Sequence, residues 1–250
     1  KSYMGKARHN KRNQTRTRKH ARSKPKLKVM IASGGQGCIF HEIPCKGKQH
    51  AEPNTISKIS FQKSSCEREF EMNEIIRKLK GHELWSLLWD IYCQSPPYKK
   101  LADYVEIDAC FAKRKLHVSP TDTFPMLVGK HGGHTYKDEC SSLFTSRAFS
   151  SQKIFTQAVH DAFRCLQHIF TGVSELHKHK LVHGDISVRN VLVSRGESRL
   201  IDFGMACQMS NKTYLTERTS FLLMYTDKIY DAYPYEYFYC RGAFHKPKLK

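Results

Sequence analysis

Leu181 to Gly204 reads LVHGDISVRNVLVSRGESRLIDFG, and this stretch decides the fold of the chain. The apolar pair Leu181-Val182 runs into His183-Gly184-Asp185, and Asn190 follows after four intervening residues. An apolar run, Val191-Leu192-Val193, is then separated by a charged turn from Leu200-Ile201, which leads into Asp202-Phe203-Gly204. This pattern predicts a loop followed by a short β-hairpin. Antiparallel pairing would bring the hairpin ends together, so Asp185, Asn190 and Asp202 would converge on one spot. Three oxygen-bearing side chains at one point suit a hard divalent cation. Magnesium in particular pairs one or two carboxylates with phosphate oxygens. The bland alternative is a polar loop and an ordinary hairpin whose carboxylates cap turns.

Upstream, Val29-Met30-Ile31 predicts a strand, Ser33-Gly34-Gly35-Gln36-Gly37 a glycine-rich turn, and Cys38-Ile39-Phe40 a second strand. Glycines let a backbone approach phosphates and aim its N–H groups at them. A plain tight turn reads equally well at this point. Thr55 to Phe61 alternates like a strand and carries Lys58, beyond a surface loop from His41 to Asn54. Glu67 to Leu79 contains neither Gly nor Pro and places Ile75, Ile76 and Leu79 on one side of a predicted helix. Glu71 lies one turn before Ile75 and so shares that face, while Glu74 points aside. Between Gly81 and Pro120 the expectation is a helix end, a break at Pro96-Pro97 and strands, including Tyr104 to Ile107. Phe124 to Val128 predicts a strand running into Gly129 to Gly133. Ser151 to Lys178 predicts one long core helix, with Ile154, Ala158, Ala162, Leu166, Ile169, Phe170, Val173 and Leu176 at the helical period. His177 reads as a packed structural histidine on it.

The loop and hairpin resemble the catalytic loop and D-F-G segment of protein kinases, whose patterns are H-R-D-x-x-x-x-N and D-F-G. Ala32, Gly34, Gly37 and Ile39 fall in register with the kinase G-x-G-x-x-G-x-V loop, with Ala32 replacing the first glycine. SGGQGCIF, ISKIS, the loop around Pro44 to Gly47 and KHGG narrow the resemblance to Ser/Thr kinases of large nucleocytoplasmic DNA viruses. The fold this implies is α+β and bilobal: a basic tail at 1–28, a small β-rich N-lobe at 29–128 and a mainly helical C-lobe at 129–250. Only fourteen residues follow Glu236, which makes that C-lobe truncated or minimal, and a chain opening on Lys1 implies a missing amino end.

By resemblance, Asp185 accepts the substrate hydroxyl proton, and Asn190 and Asp202 hold magnesium. Lys58 fixes the α- and β-phosphates of ATP, steadied by Glu71 or by Glu74, of which Glu71 is preferred. Ala32, Ser33, Gly34, Gly35, Gln36, Gly37 and Ile39 cover the nucleotide. Val128 stands at the hinge, where backbone groups meet adenine, and His183 props the loop. Met205 to Tyr233 would be the activation segment, with Pro234-Tyr235-Glu236 as counterpart of A-P-E.

Two departures carry information. Gly184 stands where H-R-D kinases carry an arginine that holds a phosphorylated activation-loop residue, which implies activity without such phosphorylation. Ser187 stands where most Ser/Thr kinases have a lysine, and Arg189 supplies charge at the offset used by receptor tyrosine kinases. The expected activity is transfer to protein Ser/Thr hydroxyls, with a tyrosine or dual-specificity kinase as alternative. A pseudokinase scaffold, or a virion protein acting on nucleic acid through its tail, are the non-enzymatic alternatives. Retention of Lys58, Asp185, Asn190 and Asp202 argues against the pseudokinase, while the missing C-lobe helices and Ala32 argue for it.

Composition sets the remaining bounds. The net charge of +19 is largely a tail property, because residues 1–28 hold twelve of the 42 Lys and Arg and no acid. Such a composition predicts a segment disordered alone. It would contact nucleic acid or an acidic partner through charge, enter a nucleus, or act only as a solubilising extension. No apolar run approaches the roughly 20 residues of a membrane span. Nine cysteines without C-x-x-C and without a secretory signal predict free thiols in a reducing compartment, host cytoplasm or virion, with the nucleus open to a basic tail. Cys38, His41 and Cys45 lack a second ligand pair with zinc spacing.

Overall fold

A computed structural model describes residues 30–211, apart from Gly35, Val105, Lys113 and Arg114. The basic tail, most of the expected activation segment and Pro234-Tyr235-Glu236 lie outside the described residues.

The amino-terminal part is a five-stranded antiparallel sheet formed by β1 (Met30–Ser33), β2 (Gly37–His41), β3 (Thr55–Ser60), β4 (Ile91–Gln94) and β5 (Pro125–Lys130), in the order β1-β2-β3-β5-β4. Successive side chains of a strand point to opposite faces. Ile59 therefore enters a core with Phe40 and Met126, while its neighbour Lys58 turns towards the cleft. That core is closed by two short helices, α2 (Tyr98–Leu101) and α3 (Ile107–Ala112). The strand expected at Tyr104 to Ile107 is thus corrected. Leu101, Tyr104, Ile107, Cys110 and Phe111 are all buried, at a spacing of three to four that is helical rather than alternating.

The cysteine expectation is corrected too. Cys38 of β2 is bonded to Cys110 of α3, and Cys45 to Cys93 of β4, with Cα–Cα distances of 6.3 and 5.9 Å. Among the described residues Cys66, Cys140 and Cys165 are free thiols.

Helix α1 (Lys63–Arg77) begins a turn earlier than expected. Its buried residues are Ser65, Cys66, Glu69, Met72, Asn73 and Ile76, so the inward stripe passes through Met72 and Ile76 rather than Ile75. Met72 and Ile76 join Trp85, Ile169, Leu176, Val191, Leu200 and Phe203 in a second core that underlies the cleft.

The carboxy-terminal part comprises β6 (His134–Thr135), α4 (Tyr136–Leu143), α5 (Gln152–Cys165), α6 (Gln167–Lys178), β7 (Leu181–Val182), β8 (Val191–Ser194), β9 (Glu197–Leu200) and β10 (Cys207–Gln208). The single helix expected over 151–178 is two helices. Leu166 N–H bonds to Phe163 O, leaving the Ala162 carbonyl to accept from the Tyr136 hydroxyl at 3.0 Å, and Ser198 donates to Cys165 O. Side chains inserted into the carbonyl ladder break a helix in this way. The buried face runs through Ala158, Ala162, Cys165, Ile169, Gly172 and Leu176. Ile154, Phe170 and Val173, expected in the core, are exposed in the described structure, as is His177, which is therefore not packed.

The hairpin forms as its pattern predicts. Val191 pairs with Leu200 and Ser194 with Glu197, and Ile201 N–H bonds to Asn190 O at 3.0 Å. The residues just outside the two strand ends are thereby held side by side.

Candidate active site

Between the sheet and the hairpin lies a cavity of about 830 Å³. Asp185, Ser187, Arg189, Asn190 and Asp202 line one wall, and Lys58 and the β1–β2 turn line the other. The six described residues expected to cover a nucleotide, Ala32, Ser33, Gly34, Gln36, Gly37 and Ile39, all face this cavity, and Gly35 lies outside the described residues. The turn is closed by Gly34 N–H to Gly37 O at 2.9 Å. Glycine is required at position 37, where a Cβ would stand 2.1 Å from Ile59 O on the adjoining strand.

Lys58 is the electrostatic centre. Its ammonium lies 2.7 Å from Glu69 Oε2 and 3.3 Å from Asp202 Oδ1. Burial works against its charge, but the two carboxylates outweigh burial and raise its pKa above the usual lysine value. Burial likewise pushes the Glu69 carboxyl up, opposed chiefly by the Lys58 ammonium. Both charges of such a pair need further partners. Glu69 has one in the Trp89 indole, whose Nε1–H donates to Oε1 at 2.7 Å.

The lysine partner is therefore Glu69, not Glu71 or Glu74. Glu71 is exposed, and Glu74 turns outward to Arg77 at 3.2 Å. A stripe drawn through Met72 and Ile76 carries Glu69, one turn before Met72 and Asn73; one drawn through Ile75 carries Glu71. Trp89 and Asn73 were not foreseen at all, because neither matches a pattern that marks chemistry. Val128 is a second correction. It pairs with Ser57 on one side and Ile91 on the other, and its carbonyl accepts from Asp90 N–H at 2.9 Å, so that carbonyl is engaged within the protein. The cavity edge begins one residue later, at Gly129 to Gly133.

On the opposite wall, Asn190 donates its amide N–H to Asp185 O at 2.9 Å and to Asp185 Oδ2 at 3.0 Å. This orients the amide oxygen away from Asp185 and fixes the carboxylate it touches. His183 sits below, 2% exposed, against the Phe203 ring at 4.7 Å. Asp185 N–H donates to its Nδ1 at 3.3 Å, which places the proton on Nε2, 3.1 Å from Ile201 O. Burial lowers its pKa to about 4, so the imidazole is neutral and buttresses the loop. Asp202 has φ +61°, a left-handed conformation that Asp tolerates better than most residues. It turns its carboxylate to Lys58 while Phe203, next in the chain, enters the core beside Met72 and Ile76.

This donor set fits the groups the resemblance implies. A carboxylate and an amide oxygen suit a hard cation. A buried cation and glycine-rich backbone across the cavity suit a polyphosphate, and the volume is that of a small-molecule site.

Residues 136–225 match the family model of the protein kinase domain. That stretch of the chain is similar to protein kinases. A protein of Acanthamoeba polyphaga mimivirus, whose name assigns it provisionally to the serine/threonine-protein kinases, is 31% identical over 77 residues. That alignment takes in 30% of this chain and 12% of the mimivirus protein, so the chain spans a small part of its relative. The kinase match includes Asp185, Asn190 and Asp202 but ends short of Lys58 and Glu69, which the fold brings to the same cavity.

Proposed function

We propose that the chain is an ATP-dependent protein kinase that transfers the γ-phosphate to Ser/Thr hydroxyls. The observation that carries this reading is Lys58 held between Glu69 and Asp202, at 2.7 and 3.3 Å, across one cavity from Asp185 and Asn190. Phosphoryl transfer asks the protein chiefly for alignment and charge neutralisation. Lys58 would hold the α- and β-phosphates, and the backbone of Gly34 to Gly37 would close over them. Asp185, fixed by Asn190 and by the neutral His183, would orient the attacking hydroxyl and take its proton. Asp202 and the Asn190 amide oxygen would hold magnesium, which when bound neutralises phosphate charge. Arg189, on the cavity wall, would supply the charge that Ser187 lacks. Preference for Ser/Thr draws support from the name of the mimivirus relative, and a viral source from its organism.

The test is transfer from radiolabelled ATP with magnesium to a generic protein substrate, comparing wild type with Asp185→Asn and Lys58→Met. Label in wild type and losses of at least about a hundredfold in both variants are expected, since removing a main charge-stabilising group costs that much. Equal incorporation by all three would remove the proposal. Phosphoamino-acid analysis of the product separates Ser/Thr from Tyr.

A further inference from the structure

One residue outside every kinase motif gathers polar side chains from three successive turns of α1. Glu69, Asn73 and Arg77 lie four residues apart and so stack on successive turns of α1. All three bond to Trp89. The indole Nε1–H donates to Glu69 Oε1 at 2.7 Å, the Trp89 backbone N–H donates to Asn73 Oδ1 at 2.7 Å, and Arg77 Nη2 donates to Trp89 O at 2.6 Å. Asn73 closes the set by donating from Nδ2 to Glu69 O at 2.6 Å.

The segment around Trp89 is tied to the other two sides of the site. Leu87 N–H bonds to Leu200 O at 2.9 Å and Leu200 N–H to Trp85 O at 2.8 Å, joining it to β9, which leads into Asp202. Asp90 N–H bonds to Val128 O at 2.9 Å, joining it to β5 beside the cavity edge. Trp89 itself lines the cavity.

We propose that Trp89 is a positioning residue for the Lys58–Glu69 pair. This rests on the kinase reading, in which that pair aligns the phosphates. A glutamate side chain has several staggered rotamers, and the bond to Lys58 requires a particular placement of Oε2. With Oε1 held by the indole, Oε2 is presented to the lysine, and α1 is fixed at the distance the pair requires. The helix is thus held inward by the body of the domain itself. This gives a physical basis for activity that needs no phosphorylated residue held by an arginine at position 184.

The chain contains two tryptophans, so its nitrogen–proton correlation spectrum carries two indole N–H signals. Trp89→Phe identifies one of them; if that variant does not fold, ring contact with Gly129 for Trp89 and with Gly172 for Trp85 does. In the full chain, Glu69→Gln and Lys58→Met should each shift the Trp89 signal and leave the Trp85 signal in place. A Trp89 signal unmoved by Glu69→Gln overturns the clamp. This readout needs no catalysis, so it stands even if wild type transfers no phosphate and the kinase reading falls.

The kinetic arm then asks whether the clamp acts through the pair. Trp89→Phe should lower kcat about tenfold or more, as expected for one lost bond to a charged group, with KM for ATP changed less than about threefold. In a Glu69→Gln background the same substitution should change kcat by less than about twofold. Equal losses in both backgrounds would make Trp89 a packing residue only, and overturn the proposal.

Discussion

Gly184 and Met205 stand so close that a Cβ added to Gly184 would lie 2.6 Å from the Met205 carbonyl oxygen. Gly184 also has φ +75°, which glycine alone adopts without strain. The arginine that H-R-D kinases carry at this place is therefore excluded by the local backbone, not merely missing. Gly184→Arg should not add a phosphate-responsive control. Both Gly184→Ala and Gly184→Arg should lose about 1–3 kcal/mol of stability and reduce phosphate transfer. Urea unfolding alongside the transfer assay checks this, and a Gly184→Arg protein as stable and active as the parent would contradict it.

The partner of Lys58 can be read from two variants of one helix. Glu69→Gln removes a charge 2.7 Å from the lysine and should lower kcat/KM roughly tenfold to a hundredfold. Glu71→Gln alters an exposed side chain and should leave kcat/KM within about twofold. The reverse order would restore the helix register read from Ile75.

His183 makes stability depend on pH in a set direction. Its folded-state pKa is lowered from the model-compound 6.5 to about 4, because burial disfavours the charged ring. Between those values the unfolded chain binds the proton that the folded chain refuses, so stability falls as pH falls. The contribution is complete above pH 6.5 and declines by about 1.4 kcal/mol per unit towards pH 4. Urea unfolding from pH 7 to 4.5 should show this slope, and His183→Gln should flatten it by that amount. An unchanged slope in the variant would show that the imidazole titrates normally.

Gly37 and Gly34 sit in one turn but should differ sharply. A Cβ at Gly37 meets Ile59 O at 2.1 Å, whereas one at Gly34 meets nothing closer than Gly37 O at 4.0 Å. Gly37→Ala should separate β2 from β3, destabilise the protein by about 2 kcal/mol or more, and raise KM for ATP. Gly34→Ala should stay within about 1 kcal/mol of the parent. Melting curves and ATP titration of the two variants separate these outcomes.

Much of the site was legible because it is local. His183, Asp185, Asn190, Asp202 and the hairpin between them occupy one continuous stretch, and the glycine turn and Lys58 occupy two more. What was misread had no local signature. Glu71 and Glu69 are two positions apart, and which faces inward depends on how α1 is rotated against Trp85 and Phe203. Tyr104-Val105-Glu106-Ile107 alternates over four residues and so reads as a strand, while the helical spacing from Leu101 to Phe111 emerges only over eleven. The break at Leu166 depends on Tyr136 and Ser198, which are remote in the chain.

The sequence by itself determined the chemistry: which oxygen-bearing and cationic side chains are present, and that hairpin pairing brings Asp185, Asn190 and Asp202 together. Backbone hydrogen bonding over short separations is sufficient for that. The tertiary structure alone decided which glutamate meets Lys58, that Trp89 holds it there, that Cys38 joins Cys110 and Cys45 joins Cys93, and that Gly184 has no room for a side chain. Each of these depends on the relative placement of elements, which is fixed by close packing between surfaces far apart in the chain.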